Sequence, residues 1–114
     1  MCIRDSVRTD AYLIGIEDPL KETITRSKKY EGAGASGIFV PKISKTEDII
    51  SLLKNIKIPL NVMCIPNLPD FDELKNLGVK RISMGPFPFL KVCKLLEQEL
   101  SLIQENNSCK NLFE

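Results

Sequence analysis

The chain has 114 residues, of which 43% are hydrophobic and 27% charged, and its 16 Lys and Arg nearly balance 15 Asp and Glu, leaving a net charge of +1. This is the make-up of a globular chain of one-domain size, not of a disordered or fibrous one, and its interspersed charges give no electrostatic case for nucleic acid or an anionic membrane. No stretch reaches the roughly 18 to 20 apolar residues of a membrane span, and the N-terminus lacks the apolar segment of a signal peptide.

The sequence has no histidine, and its four cysteines, Cys2, Cys64, Cys93 and Cys109, stand far apart. A zinc site of the usual kind is therefore disfavoured, and the setting is expected to be reducing and cytoplasmic. Cys64 in an apolar run and Cys93 on an apolar helical face read as small buried hydrophobes.

The pattern along the chain is an apolar run, then punctuation, then an amphipathic stretch. A first short strand is predicted through Val7 and Arg8, followed by a loop. Asp18 is then the N-cap and Pro19 the first residue of a helix. Leu20, Ile24 and Tyr30 fall near one face of it, with Ser27 between them, and Gly32-Ala33-Gly34 ends it. The second strand is Gly37-Ile38-Phe39-Val40, closed by Pro41.

Ser44-Lys45-Thr46-Glu47 has the form of a capping box, which predicts a helix from there with Ile49, Ile50, Leu52, Leu53 and Ile56 on its apolar face. Pro59 to Ile65 is the third strand. Asp70-Phe71-Asp72-Glu73 repeats the capping arrangement before a short helix through Leu74 and Leu77, stopped by Gly78. Val79 to Met84 is the fourth strand, broken by Gly85-Pro86. The last helix starts near Pro88, carries Leu90, Val92, Cys93, Leu95, Leu96, Leu100 and Ile103, and fades into a polar stretch from Glu105 to Lys110.

Four strand-helix units in series, with strands rich in Val, Ile, Leu and Phe, argue for parallel strands joined by helical crossovers, so the class is α/β. An eight-unit barrel takes about 250 residues, which makes four units about half of one. A small doubly wound sheet with helices on both faces fits the same periodicity.

The strand ends carry a resemblance. Val7-Arg8-Thr9-Asp10-Ala11-Tyr12, followed by the run from Tyr30 through Gly32-Ala33-Gly34-Ala35 to Pro41, is similar to the fifth and sixth strands of the isocitrate lyase/phosphoenolpyruvate mutase family. Pro59-Leu60-Asn61-Val62 and Leu77 to Pro86 resemble its seventh and eighth. The likeness covers about residues 7 to 100 and implies the C-terminal half of a TIM-type (β/α)8 barrel. It also implies, for a complete protein, a Mg²⁺-dependent lyase or mutase. Such an enzyme makes or breaks C–C or P–C bonds in a small 2-oxo, carboxylate or phosphonate acid through an enolate, and is expected to be a homo-oligomer.

On that mapping Arg8, at the C-terminal end of a barrel strand, offers a planar fork for a carboxylate or phosphonate. The plainer alternative is an arginine ion-paired with Asp10. Asn61 is a polar residue in an apolar strand, which must be hydrogen-bonded if buried. It suits either a substrate oxygen or neighbouring backbone. Ser83 and Gly85 end the last strand, where barrels often bind anions, and Thr9 and Asp10 are expected to orient the arginine and cap the following loop.

Two departures stand out. Pro41-Lys42 occupies the place where several lyases of the family carry a glutamate, which sets isocitrate and methylisocitrate lyase aside. The family's metal-holding acids, and its mobile loop with the catalytic acid, belong to its first four strands and have no counterpart in this sequence. Met1 to Ser6 does not match and resembles read-through of a sequencing adapter. The expected organisation is thus a non-native leader over 1–6, a half-barrel over 7–104 and a polar tail over 105–114, with no catalytic or metal-binding residue and no activity of its own. The competing expectation is a non-catalytic half-barrel that binds an anion or serves as an interaction module.

Overall fold

In a computed structural model, four short strands form one parallel sheet in chain order: β1 (Ser6–Arg8), β2 (Gly37–Val40), β3 (Leu60–Met63) and β4 (Arg81–Ser83). Residues 6–114 are described. Right-handed βαβ crossovers that lay each strand beside the last produce this sequential order, which is that of a barrel segment and not of a doubly wound sheet. The leader expected over 1–6 lies outside the described residues except for Ser6, which pairs with Gly37 at the start of β1.

The chain divides into two compact units, Met1–Ser83 and Met84–Glu114. The first contains the sheet and four helices, α1 (Ala11–Ile14), α2 (Pro19–Gly32), α3 (Thr46–Asn55) and α4 (Phe71–Leu77). One face of the sheet is sealed: Ile38, Val40, Leu60 and Val62 are fully buried against Ile43, Ile49, Leu52 and Leu74. Burying such side chains contributes roughly 1.5–3 kcal/mol each, and that sets the helix positions more firmly than capping does.

Asp18 does cap α2, accepting from Lys21 N at 3.2 Å with Pro19 behind it. The capping box expected at Ser44 does not form. Lys45 is the N-cap of α3 and makes no side-chain capping bond, while the Thr46 hydroxyl donates to Glu73 Oε1 at 2.9 Å. A cap is worth about 1 kcal/mol, less than burying Ile43 and Ile49, and those two anchors fix where the helix begins. Asp70 is the N-cap of α4, again without a side-chain bond.

The stretch after β1, expected as loop, holds the short helix α1, ended by Gly15 in the left-handed conformation at φ 66°. The Tyr12 hydroxyl donates to Asp48 Oδ2 at 2.9 Å and so links α1 to α3. Burial first, and then the Asp48 carboxylate, raises the Tyr12 pKa and keeps the phenol a donor.

The second unit is α5 (Phe87–Asn106) followed by a 3-10 turn, Lys110–Phe113. The stretch expected as a polar tail from residue 105 thus holds the end of α5 and this turn, and Asn111 Nδ2 donates to Glu99 Oε2 at 2.8 Å. No residue of α5 is buried. Cys93 is accordingly only half-buried, as is Cys64 just past the end of β3, so neither is the buried hydrophobe its sequence context suggested.

β1 and β4 each pair on one side only, and the sheet face opposite the core leaves Phe39 and Met63 half-exposed. Free strand edges beside an apolar face template association. At high concentration the chain is expected to sediment as species larger than its 12.8 kDa monomer. A single monomeric boundary in sedimentation velocity would contradict this.

Candidate functional site

Side chains alternate along a strand, so sealing one face of the sheet turns every second residue to the other. The register places Arg8 beside Phe39, Phe39 beside Asn61, and Asn61 beside Arg81, a row that crosses all four strands on the open face. Adjacent strands stand about 4.8 Å apart, which sets the backbones of Arg8 and Asn61 about 10 Å apart. Arg8 closes β1 and Ser83 closes β4, at the C-terminal edge where barrel sites are built.

Arg8 is paired with Asp10, as the plainer reading of the sequence had it. Nη2 donates to Oδ2 at 3.0 Å and Nε lies 2.8 Å from Oδ1, a close ion contact without hydrogen-bond alignment. The side chain remains 56% exposed, and an exposed pair of this kind adds only about 0–1 kcal/mol to stability. Its consequence is geometric. Asp10 takes the Nε/Nη2 edge of the guanidinium and leaves the Nη1/Nη2 edge without a protein partner among the described residues, an edge that suits a second carboxylate or a phosphonate through two parallel bonds.

Asn61 is 7% exposed and has a protein partner. Its Nδ2 stands 2.8 Å and its Oδ1 3.1 Å from Ser83 Oγ. The fold thus joins two of the candidate residues directly, leaving one Nδ2 hydrogen and one Ser83 Oγ lone pair for anything that approaches the open face. Asn61→Ala should cost about 1–3 kcal/mol, because it strands the Ser83 hydroxyl as well as deleting the amide. Urea unfolding of the chain checks this, and a midpoint equal to wild type would contradict it.

Thr9 is 1% exposed, on the core side of the sheet, with its Oγ1 unpartnered among the described residues. Its role is through backbone, the amide donating to Phe39 O at 3.0 Å, so its side chain does not orient Arg8. Asp10 does, and also stands at the N-cap of α1 without a capping bond. Gly85, in the left-handed region at φ 59°, belongs to the second unit.

Sequence reasoning missed Arg81. It is exposed and has no salt-bridge partner among the described residues. The alternation Arg81-Ile82-Ser83 puts it on the same face as Ser83, a signal that was available once the strand was recognised.

The metal implied by the resemblance does not fit the residues present. Among the described residues no three His, Cys, Asp or Glu side chains come together to hold an ion, so no step is derived through one.

Comparison with known proteins agrees with this fold. A family model described as phosphoenolpyruvate phosphomutase matches residues 6–104. An uncharacterised protein of Mycobacterium tuberculosis is 36% identical over 84 residues, covering 74% of this chain and 32% of the relative. An oxaloacetate decarboxylase of Pseudomonas putida is 29% identical over 108 residues, covering 92% of this chain and 36% of the enzyme. Among crystal structures, one from Burkholderia cenocepacia provisionally described as a lyase/mutase superposes with a TM-score of 0.81 at 28% identity, over 92% of this chain and 38% of that one. Another from the same organism, provisionally described as a phosphonomutase, gives 0.78 at 33% identity, over 85% and 41%. The chain thus spans about a third of the length of these curated relatives.

Proposed function

Since the chain belongs to the phosphoenolpyruvate phosphomutase family, within the isocitrate lyase/phosphoenolpyruvate mutase group, we propose that it is the anion-gripping half of a lyase or mutase barrel. The substrate class is a small 2-oxo, carboxylate or phosphonate acid, and the reaction makes or breaks a C–C or P–C bond next to a carboxylate through an enolate. The observation that carries this reading is Arg8, fixed along one edge by Asp10 and free along the other at the C-terminal end of β1.

In that role the guanidinium clamps the substrate carboxylate in one plane, so that the adjacent carbon is presented in a fixed orientation. Its positive charge also favours the anionic form that develops on that carbon. Asn61 and Ser83, held to each other, form the neutral wall of the same face. Mg²⁺ and the catalytic acid would come from residues other than those described, and the chain by itself is inactive. Likeness to oxaloacetate decarboxylases supports a 2-oxo acid as substrate, and likeness to a phosphonomutase-like structure supports a phosphonate equally.

The test is to express the complete coding sequence and supply the purified protein with Mg²⁺ and a panel containing oxaloacetate, other small 2-oxo acids and phosphonopyruvate. Turnover of at least one is expected. No turnover of any, together with saturable binding of oxalate, would instead favour a non-catalytic anion-binding module.

A further inference from the structure

Lys42 adopts a left-handed backbone, φ 64°, one of two non-glycine residues to do so among those described. It follows Pro41 at the end of β2, and a proline followed by a residue of positive φ is the pattern of a type II turn, whose third position favours glycine or asparagine. The neighbours on both sides are locked: Val40 and Ile43 are fully buried, while Lys42 itself is exposed. A side chain with a Cβ is thus held in a conformation that glycine would adopt freely. Backbone strain of this sort persists where the surrounding structure holds it, and it clusters at active sites and ligand clamps.

The position says what the use is. β2 lies between β1, which ends in Arg8, and β3, which carries Asn61. Arg8 pairs with Phe39, so Lys42 lies one strand over and three residues further along, in the turn past the same C-terminal edge of the sheet that Arg8 closes. At about 4.8 Å between strands and about 3.3 Å per residue the two backbones stand about 11 Å apart, a span that a lysine and an arginine side chain reaching toward each other can close around one small dianion. It has no salt-bridge partner among the described residues. We propose that Lys42 supplies the second cationic contact at the Arg8 site, so that the site selects small dianions over monoanions. This rests on the reading of Arg8 as the anion grip.

The experiment titrates the chain, kept dilute and at low salt, with malonate and with acetate by calorimetry, alongside thermal melts. Lys42→Gly removes charge and strain together, while Lys42→Gln removes only the charge. Both are expected to weaken malonate about three- to ten-fold, as for one solvent-accessible charge contact, with acetate changed less than about two-fold. Lys42→Gly should also raise Tm by about 2 to 5 °C, and Lys42→Gln should leave it unchanged.

Malonate affinity that survives both Lys42 variants but is lost in Arg8→Lys removes the lysine from the site and leaves the arginine in place. Malonate affinity indifferent to Arg8→Lys, or no saturable binding by the wild-type chain, overturns the arginine reading and this one with it. A Lys42→Gly variant that melts lower than wild type overturns the strain argument.

Discussion

Replacing Arg8 by lysine in the complete enzyme is expected to lower kcat/KM by about 30- to 1000-fold, a loss of about 2 to 4 kcal/mol. An ammonium keeps the charge but cannot present two parallel N–H bonds, and it cannot be turned by Asp10 as the guanidinium is, through Nε and Nη2 at 2.8 and 3.0 Å. Folding should hardly change, because the Arg8 side chain is 56% exposed and such pairs contribute about 0–1 kcal/mol. Steady-state kinetics beside a melting curve separate the two effects. An Arg8→Lys enzyme with unchanged kinetics would place the chemistry elsewhere.

The chain alone is expected to show no turnover above a protein-free control with Mg²⁺ and oxaloacetate or phosphonopyruvate, however much of it is added. The sequence has no histidine, and no metal-holding group of side chains forms among the described residues. The open face carrying Arg8, Phe39, Asn61 and Arg81 also leaves a bound acid in contact with water, which weakens every electrostatic contact made there. Rates proportional to chain concentration, in a coupled assay with the control subtracted, would contradict this.

Much of the scaffold was legible because apolar runs and breakers determine it. Gly37 to Val40 and Leu60 to Met63 are strands for the reason the sequence suggests, and their alternation alone sets Phe39 and Asn61 on one face and Val40 and Val62 on the other. Asp18 and Pro19 start α2 by local chemistry that needs no tertiary partner. Features settled by long-range contact were not legible. Nothing in the sequence tells that Asn61 bonds to Ser83, 22 residues on, or that Tyr12 reaches Asp48. The capping box at Ser44 lost to burial of Ile43 and Ile49 on either side of it. The short helix α1 was hidden because four residues carry too little periodicity to register. The left-handed Lys42 broke the usual glycine rule, so no breaker residue marked it.

The Arg8 grip is tested most directly by guanidinium ¹⁵N NMR of the chain titrated with oxalate, a flat mimic of an enolate carboxylate. The Arg8 Nη signals are predicted to shift saturably while those of Arg26, engaged with Glu22, stay in place. Equal drift of both arginines, or no shift at Arg8 at saturating oxalate, would contradict an anion site on β1.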